Sequence, residues 1–211
     1  MIRVITIARE YGSGGATIAR LLADRLGWRL LDRDLVDEVA RAANVQPAVV
    51  EQLDERGDPW FHGLARSLWM GNADWPISLG EPDLLDAHAV ASVARTVIEE
   101  AARGGNCVVV GRGAQCILHG RADAFHVFLY APMGLRRRRM AKRQGRDPGS
   151  PDLETEIRQN DRARAAYIRR NFDQEWCNPH LYDLMIDTKC GDETTAEAVL
   201  SAARLAPVGA H

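Results

Sequence analysis

The stretch AREYGSGGATIAR, from Ala8 to Arg20, joins a short apolar run to a segment with helical periodicity. The run, Met1 to Ala8, is β-branched and almost uncharged, which is typical of a buried parallel strand. A strand, a glycine turn and a helix N-terminus form an anion site, because backbone N–H groups converge there and the helix dipole adds positive potential. The stretch therefore predicts a phosphate-binding loop near the start of an α/β fold.

The glycine cluster departs from the phosphate-loop pattern G-x-x-x-x-G-K-[ST] at three positions. Aligned on Gly14, the chain has Arg9 in place of the first glycine, Gly15 in place of the lysine and Ala16 in place of the Ser/Thr. By pattern alone, this match is weak.

Two other interpretations are open from these residues. The dinucleotide pattern G-x-G-x-x-G is matched by Gly12 and Gly14 but has Thr17 in place of its last glycine. It would use an acidic residue such as Asp32 for a ribose contact. The third interpretation is an ordinary tight turn.

The rest of the chain alternates between strand and helix patterns, which predicts an α/β fold with a central parallel sheet covered on both faces. Gln46 to Leu85 is less regular and contains the tryptophan-rich stretch Trp60 to Trp75. The predicted strands after the first are WRLLD, NCVVVGRG, AFHVFLYA and YDLMIDT. The predicted helices are 16–27, a helix from Asp34 to Asn44, 83–103, GLRRRRMAKRQG, 152–171 and 194–205.

Composition narrows the function classes. The 211 residues carry a net charge of −2, 46% hydrophobic residues and four widely spaced cysteines. We expect one soluble, cytoplasmic domain with reduced thiols and no structural metal site. The start of the chain lacks a signal-peptide pattern, and no apolar run approaches the roughly 20 residues that cross a bilayer. The net negative charge argues against a nucleic-acid partner. The basic run LRRRRMAKR is short and lacks interleaved aromatic residues, which argues against it as well.

The segment REYGSGGATIARLLADRLGWRLLDRDLV resembles the start of the cytidylate kinase-like family. The resemblance continues at CVVVGRGAQCIL, NDRARAAYIRR and YDLMIDT, in the family order. It implies the three-layer P-loop NTPase fold with a five-stranded parallel sheet, in one domain over 1–211. Helical insertions would bind the nucleoside monophosphate (NMP) at about 46–85 and form a lid at about 144–172. The implied activity is phosphoryl transfer from ATP, with Mg²⁺, to CMP or dCMP. The sequence leaves the oligomeric state unknown.

Two carboxylates stand one residue apart after the second strand, Asp32 and Asp34. In parallel sheets ligands bind at the carboxyl ends of strands, so this pair should lie beside the glycine loop. Similar kinases use the first position to orient the acceptor or a magnesium-bound water, which makes Asp32 the catalytic and metal candidate. Asp34 is a substrate-binding candidate, or it caps the following helix.

Arginines supply the other site candidates, since phosphoryl transfer requires cations around phosphates. Arg112 resembles a monophosphate-binding arginine and is a catalytic and substrate-binding candidate, although Val110 replaces the aspartate that cytidylate kinases carry before it. Arg164, in the family spacing D-[KR]-x-R-x-x-Y, is a catalytic candidate. Arg139, on one helical face with Arg136 and Arg143, and Arg162 are candidates for the donor phosphates. The remaining donor-binding candidates are Arg9, Gly12, Ser13, Gly14, Gly15, Ala16 and Thr17; Arg41 and Asp183 are further substrate-binding candidates.

The sequence supports four functional hypotheses. The leading hypothesis is a nucleoside monophosphate kinase that takes CMP or dCMP. A kinase for another small metabolite is the second, because LLDRD also resembles the F-x-D-x-D element of shikimate-type kinases. An inactive nucleotide-binding regulator is the third, because the loop lacks its lysine. A dinucleotide oxidoreductase is the weakest, since its fingerprint is incomplete.

Overall fold

The computed structural model describes residues 1–32 and 85–206. The helix predicted from Asp34, nearly all of the insertion predicted at 46–85, and the candidates Asp34 and Arg41 lie outside the described residues. The chain divides into two compact units, residues 1–32 with 105–211, and residues 33–104. The glycine loop and the described residues around it belong to the first unit.

Five parallel strands form one sheet in the order β2-β3-β1-β4-β5, which confirms the predicted α/β fold and strand number. Each strand is short and rich in apolar residues, as expected for strands covered on both faces. Their bounds are β1 Val4–Arg9, β2 Arg29–Leu31, β3 Cys107–Val110, β4 Ala124–Tyr130 and β5 Leu184–Asp187.

The helices are numbered over the described residues; all lie close to predicted ranges except the four-residue α3, which was not predicted. Their bounds are α1 Gly15–Leu26, α2 Leu85–Gly104, α3 Ala114–Ile117, α4 Met133–Gln144, α5 Pro151–Phe172 and α6 Asp192–Ala202. Short 3₁₀ turns cover Pro179–Leu181 and Thr188–Cys190. In this described part, no helix has the length and apolarity needed to span a membrane.

The two faces of the sheet pack against different helices. Ile5 and Ile7 of β1 lie in a core cluster with Ile18 of α1 and Val199 of α6. Ala8 points to the other face, in a second cluster with α5 residues, because successive strand side chains alternate between faces. The arrangement is the predicted three-layer sandwich, and it accounts for the helical apolar spacing of α1.

The register brings the carboxyl ends of the central strands to one edge. Ile7 of β1 is opposite Val110 of β3, and Arg9 is opposite Leu129 of β4. The chain therefore leaves β1, β3 and β4 at the same level of the sheet. The glycine loop at 10–14 and the turn at 111–113 both begin at this edge.

Candidate functional site

The loop between β1 and α1 requires glycine at two positions. Gly12 and Gly14 have positive φ angles of 84° and 89°, a conformation that residues with a Cβ rarely adopt. A Cβ on Gly12 would lie 3.1 Å from the Arg136 carbonyl oxygen, and one on Gly14 would lie 2.8 Å from Asp192 Oδ1. The loop is therefore a tight turn in which the backbone of the two glycines packs directly against α4 and the start of α6.

Two carbonyl groups of the loop point into the protein. The Tyr11 carbonyl accepts a hydrogen bond from Arg136 Nε at 2.8 Å. The Ser13 carbonyl accepts from Arg139 Nη1 at 2.6 Å and from Thr188 Oγ1 at 2.7 Å. The guanidinium groups of Arg136 and Arg139 and the hydroxyl of Thr188 thus bind these carbonyl oxygens from one side of the loop. We call this side the back of the loop.

The N–H groups that follow these carbonyls face the opposite way. In a trans peptide the C=O and N–H bonds are antiparallel, and no cis peptide occurs among the described residues. The Gly12 and Gly14 N–H groups consequently point away from the two arginines. The first N–H groups of α1, from Gly15 onward, lack partners within a helix and add to the same positive potential. This backbone cradle fits an anion such as a nucleotide phosphate.

An ion cluster around the buried guanidinium of Arg136 supports the loop. Arg136 is 4% exposed; its guanidinium pairs with Asp161 and lies 3.1 Å from Glu10 Oε2. Asp161 Oδ1 also accepts the Tyr11 N–H at 2.8 Å, and Glu10 Oε2 accepts the Ala131 N–H at 3.0 Å. The cluster joins the loop, the start of α4 and the middle of α5 in one hydrogen-bonded unit.

Arg139 has a second set of partners besides the Ser13 carbonyl. Its Nη2 lies 2.6 Å from Asp192 Oδ1, and its Nη1 donates to Thr188 Oγ1 at 2.8 Å. The structure thus places Arg139 behind the loop, bridging it to the segment after β5. Contact with donor phosphates stays a prediction for this residue; the contacts seen are those of a group that holds the loop in shape.

Arg164, from α5, contacts both the last residue of β1 and the glycine loop. Its Nη1 donates to the Arg9 carbonyl at 2.5 Å, and its Cζ lies 5.5 Å from the centre of the Tyr11 ring. The Tyr11 hydroxyl in turn donates to Glu156 Oε1 at 3.1 Å. Partial burial, and then the hydrogen bond to Glu156, raise the pKa of Tyr11, so the ring stays neutral and stacked on the cation.

Arg112 occupies the turn after β3, with a positive φ of 51°. Its Cζ lies 5.8 Å from the centre of the Tyr167 ring. Tyr167 follows Arg164 by about one turn of α5. A Cβ on the adjacent Gly113 would overlap the Phe172 ring, so this turn is pressed against α5. The structure therefore brings Arg112 and Arg164 to the same edge, each stacked on a tyrosine.

Arg9 itself ends β1 and reaches across the loop. A Cβ on Gly15 would lie only 2.6 Å from Arg9 Cγ and 2.8 Å from Arg9 Cβ. A Cβ on Gly111, in the turn before Arg112, would overlap the Arg9 guanidinium. The arginine thus runs over the first residue of α1 towards the end of β3.

The other predicted donor and metal residues are Ala16, Thr17, Arg162 and Asp32. Ala16 and Thr17 are exposed on the first turn of α1, and Arg162 is exposed on α5. Asp32 directly follows β2 and is half-buried. Ala16 brings no hydroxyl for a magnesium ion, and the described residues contain no group of three or more metal-ligating side chains.

Asp183 lies elsewhere. It directly precedes β5, where its Oδ2 accepts the His126 N–H at 2.7 Å and its own N–H donates to the His126 carbonyl at 2.8 Å. His126 is opposite Thr6, three residues before Arg9 in the register, or about 10 Å along the strand. The structure does not bring Asp183 to the edge that carries the loop.

Several residues that shape the site had no role predicted from the sequence, chiefly Glu10, Tyr11, Asp161, Thr188 and Asp192. Tyr11 and Asp161 stand in the quoted segments REYGSGG and NDRARAAYIRR, which was the available signal. Their pairing joins positions 150 residues apart, so it depends on the tertiary fold.

The chain is similar to known proteins over most of its length. The model of the cytidylate kinase-like family matches residues 4–190. The cytidylate kinase of Halobacterium salinarum (strain ATCC 29341 / DSM 671 / R1) is 25% identical over 202 residues, which cover 94% of this chain and 88% of that relative.

Solved structures share the fold at low identity. An uncharacterized protein from Eubacterium ventriosum ATCC 27560 superposes with a TM-score of 0.70 at 20% identity, over 97% of this chain and 99% of the other. A gluconokinase from Sinorhizobium meliloti 1021 superposes with 0.51 at 14% identity, over 95% and 91%. For shikimate kinase from Acinetobacter baumannii in complex with shikimate the values are 0.50 and 18%, over 95% and 92%. The family model covers most of the sequence, so the chain belongs to the cytidylate kinase-like family.

Proposed function

We propose that this protein is an ATP-dependent kinase that transfers the γ-phosphoryl group to a nucleoside monophosphate, with CMP or dCMP as the favoured acceptor. The observation that carries the proposal is the convergence of Arg9, Arg112 and Arg164 around the glycine loop. These arginines come from β1, the turn after β3 and α5, and the loop between them presents backbone N–H groups outward.

Phosphoryl transfer needs this kind of environment. The transferred group carries spread negative charge, so catalysis rests on positioning and on fixed cations. Guanidinium groups remain charged at any physiological pH and make two parallel hydrogen bonds to phosphate oxygens. In the proposed reaction, the loop amides hold the donor phosphates, Arg164 neutralises the transferred group, and Arg112 binds the acceptor phosphate.

The carboxylate at Asp32 is proposed to orient the acceptor or a magnesium-bound water. Mg²⁺ in kinases is commonly held by substrate phosphates, one or two carboxylates and several waters. Such a site suits a chain in which Ala16 replaces the hydroxyl residue of the loop pattern. Here Asp32 would act through its negative charge at the end of β2.

The name of the Halobacterium relative, cytidylate kinase, supports the choice of acceptor. The shikimate kinase and gluconokinase structures share the fold and carry no argument about substrate at 18% and 14% identity. A small-metabolite acceptor is therefore an alternative outcome of the test, as is a protein that binds nucleotide without transferring phosphate.

The test measures ADP formation by the purified protein with ATP, Mg²⁺ and a panel of acceptors: CMP, dCMP, UMP, AMP, GMP, shikimate and gluconate. We expect turnover with CMP or dCMP, and its loss in Asp32→Asn. Arg20→Ala, on the exposed face of α1, is the matched surface control and should keep wild-type turnover. The proposal would be overturned if only shikimate or gluconate were phosphorylated, or if none of the acceptors were.

A further inference from the structure

We propose that Arg9 and Gly15 have exchanged the roles of the first glycine and the lysine of a phosphate loop, so that the Arg9 guanidinium supplies the cation for the terminal phosphates of a bound nucleoside triphosphate. This inference rests on the proposed function and names the residue that makes the loop competent without its lysine.

The two departures from the pattern G-x-x-x-x-G-K occur together. Arg9 stands where the first glycine is expected, and Gly15 stands where the lysine is expected. Taken separately, each substitution damages the motif: one adds a bulky side chain, and the other removes the cation. In the fold the two changes compensate, since the added side chain occupies the space that the missing one has vacated.

The geometry at Gly15 shows this compensation. Gly15 is buried, and the stem of Arg9 lies 2.6 to 2.8 Å from the point where its Cβ would be. Unlike Gly12 and Gly14, Gly15 does not have a positive φ, so backbone conformation does not demand glycine there. The space needed by Arg9 is the reason for glycine at this position.

The Arg9 guanidinium reaches from the glycine loop to the turn after β3. It lies against Gly111, in the turn that leads to Arg112, so a cation from β1 stands between the glycine loop and the proposed acceptor arginine. The Arg9 carbonyl is bound by Arg164 at 2.5 Å, which fixes the backbone from which the side chain projects. A cation between donor loop and acceptor side can neutralise charge on the terminal phosphates.

The role differs chemically from that of a lysine. A lysine ammonium is a compact point charge on a flexible stem, whereas guanidinium is a planar fork that binds two phosphate oxygens at once. The Arg9 stem is held against the start of α1, so less rotamer freedom is lost on binding than for a free surface arginine. The exchange therefore keeps the charge and changes how it is presented.

The experiment measures the affinity of ATP and of inorganic tripolyphosphate by calorimetry, with Mg²⁺ and without an acceptor. Arg9→Met keeps an unbranched stem over Gly15 and removes the charge; we expect it to bind both ligands about ten- to a hundredfold more weakly. Arg9→Lys should recover most of the affinity. Arg20→Ala, exposed on α1, is the charge-matched control and should bind as the wild type does.

The exchange itself is tested by two further variants. Gly15→Lys alone should lower the melting temperature, because its stem collides with that of Arg9. Combining it with Arg9→Gly, which restores the pattern G-x-x-x-x-G-K, should recover both the melting temperature and triphosphate binding. Wild-type affinity in Arg9→Met, or equal melting temperatures in Gly15→Lys and the double variant, would overturn the inference. Binding is measured without an acceptor, so failure to phosphorylate any monophosphate would count against the proposed function alone.

Discussion

Arg164 donates a hydrogen bond to the main-chain carbonyl of Arg9 at 2.5 Å, across 155 residues of sequence. The contact joins α5, where the lid was predicted, to the last residue of β1. A flexible arginine held at the edge of the glycine loop loses less entropy when it meets a phosphate. We therefore propose that the two arginines and the loop form one preorganised anion site.

Arg164→Ala should lower kcat for nucleotide phosphorylation at least about tenfold, because in the proposed reaction its charge stabilises the transferred group. Steady-state kinetics with saturating ATP checks this result. Arg170→Ala, an exposed arginine on the same helix, is the matched control and should keep wild-type kcat. Equal kcat in the two variants would remove Arg164 from the mechanism.

Tyr11 should act as a positioning residue for Arg164. Tyr11→Phe keeps the ring under the cation and loses only the hydrogen bond to Glu156, so kcat/KM should stay near the wild-type value. Tyr11→Leu removes the cation–π contact and should lower kcat/KM about two- to fivefold, as expected for about 0.5–1 kcal/mol. A similar loss in both variants would assign the effect to the hydrogen bond instead.

Replacing the buried cation below the loop should destabilise the fold. Arg136→Met leaves the carboxylates of Glu10 and Asp161 without their shared partner, which we expect to cost about 3–5 kcal/mol in the free energy of unfolding. Urea denaturation followed by circular dichroism measures this loss. Arg138→Ala, exposed two residues further along α4, should change stability by less than about 0.5 kcal/mol. A loss no larger than that of the control would show that the cluster does not stabilise the fold.

Stability should decrease below about pH 6.5, and His126 should account for part of the decrease. Burial lowers the pKa of His126, although Asp183 opposes the shift, so the unfolded chain takes up this proton at a higher pH than the folded protein does. The contribution of His126 to stability is therefore fully present above the pKa that the residue has in the unfolded chain, and it is lost as pH falls below that value. His126→Asn, which can keep a hydrogen bond to Thr6, should show a shallower dependence of unfolding free energy between pH 7.5 and 5. A slope equal to that of the wild type would exclude His126 as a source.

The centre of the sheet was predictable because β1, β3 and β4 are largely buried and their sequences are therefore nearly continuous apolar runs. The predicted strand at 1–8 appears as Val4–Arg9, and CVVV forms β3 at Cys107–Val110. Helix α1 was predictable for a related reason, since Ile18 and Leu22 lie on the one face that packs on the sheet. Local periodicity carries this information without reference to distant residues.

The roles of the arginines on α4 were not predictable in the same way. Helical spacing places Arg136, Arg139 and Arg143 on one face, yet the first is buried, the second half-buried and the third exposed. The difference arises because only the beginning of α4 lies beneath the loop, where distant carboxylates such as Asp161 and Asp192 meet it. Which arginine faces a phosphate and which supports the loop depends on these long-range partners.

The most direct test of the kinase proposal is to incubate the protein with γ-³²P-labelled ATP, Mg²⁺ and CMP, and to separate the nucleotides by chromatography. We predict that label appears in CDP for the wild type and disappears from it in Asp32→Asn. The same experiment is repeated with dCMP. If, with both acceptors, all label remains in ATP or is released only as inorganic phosphate, the result contradicts the proposal that this chain is a cytidylate kinase.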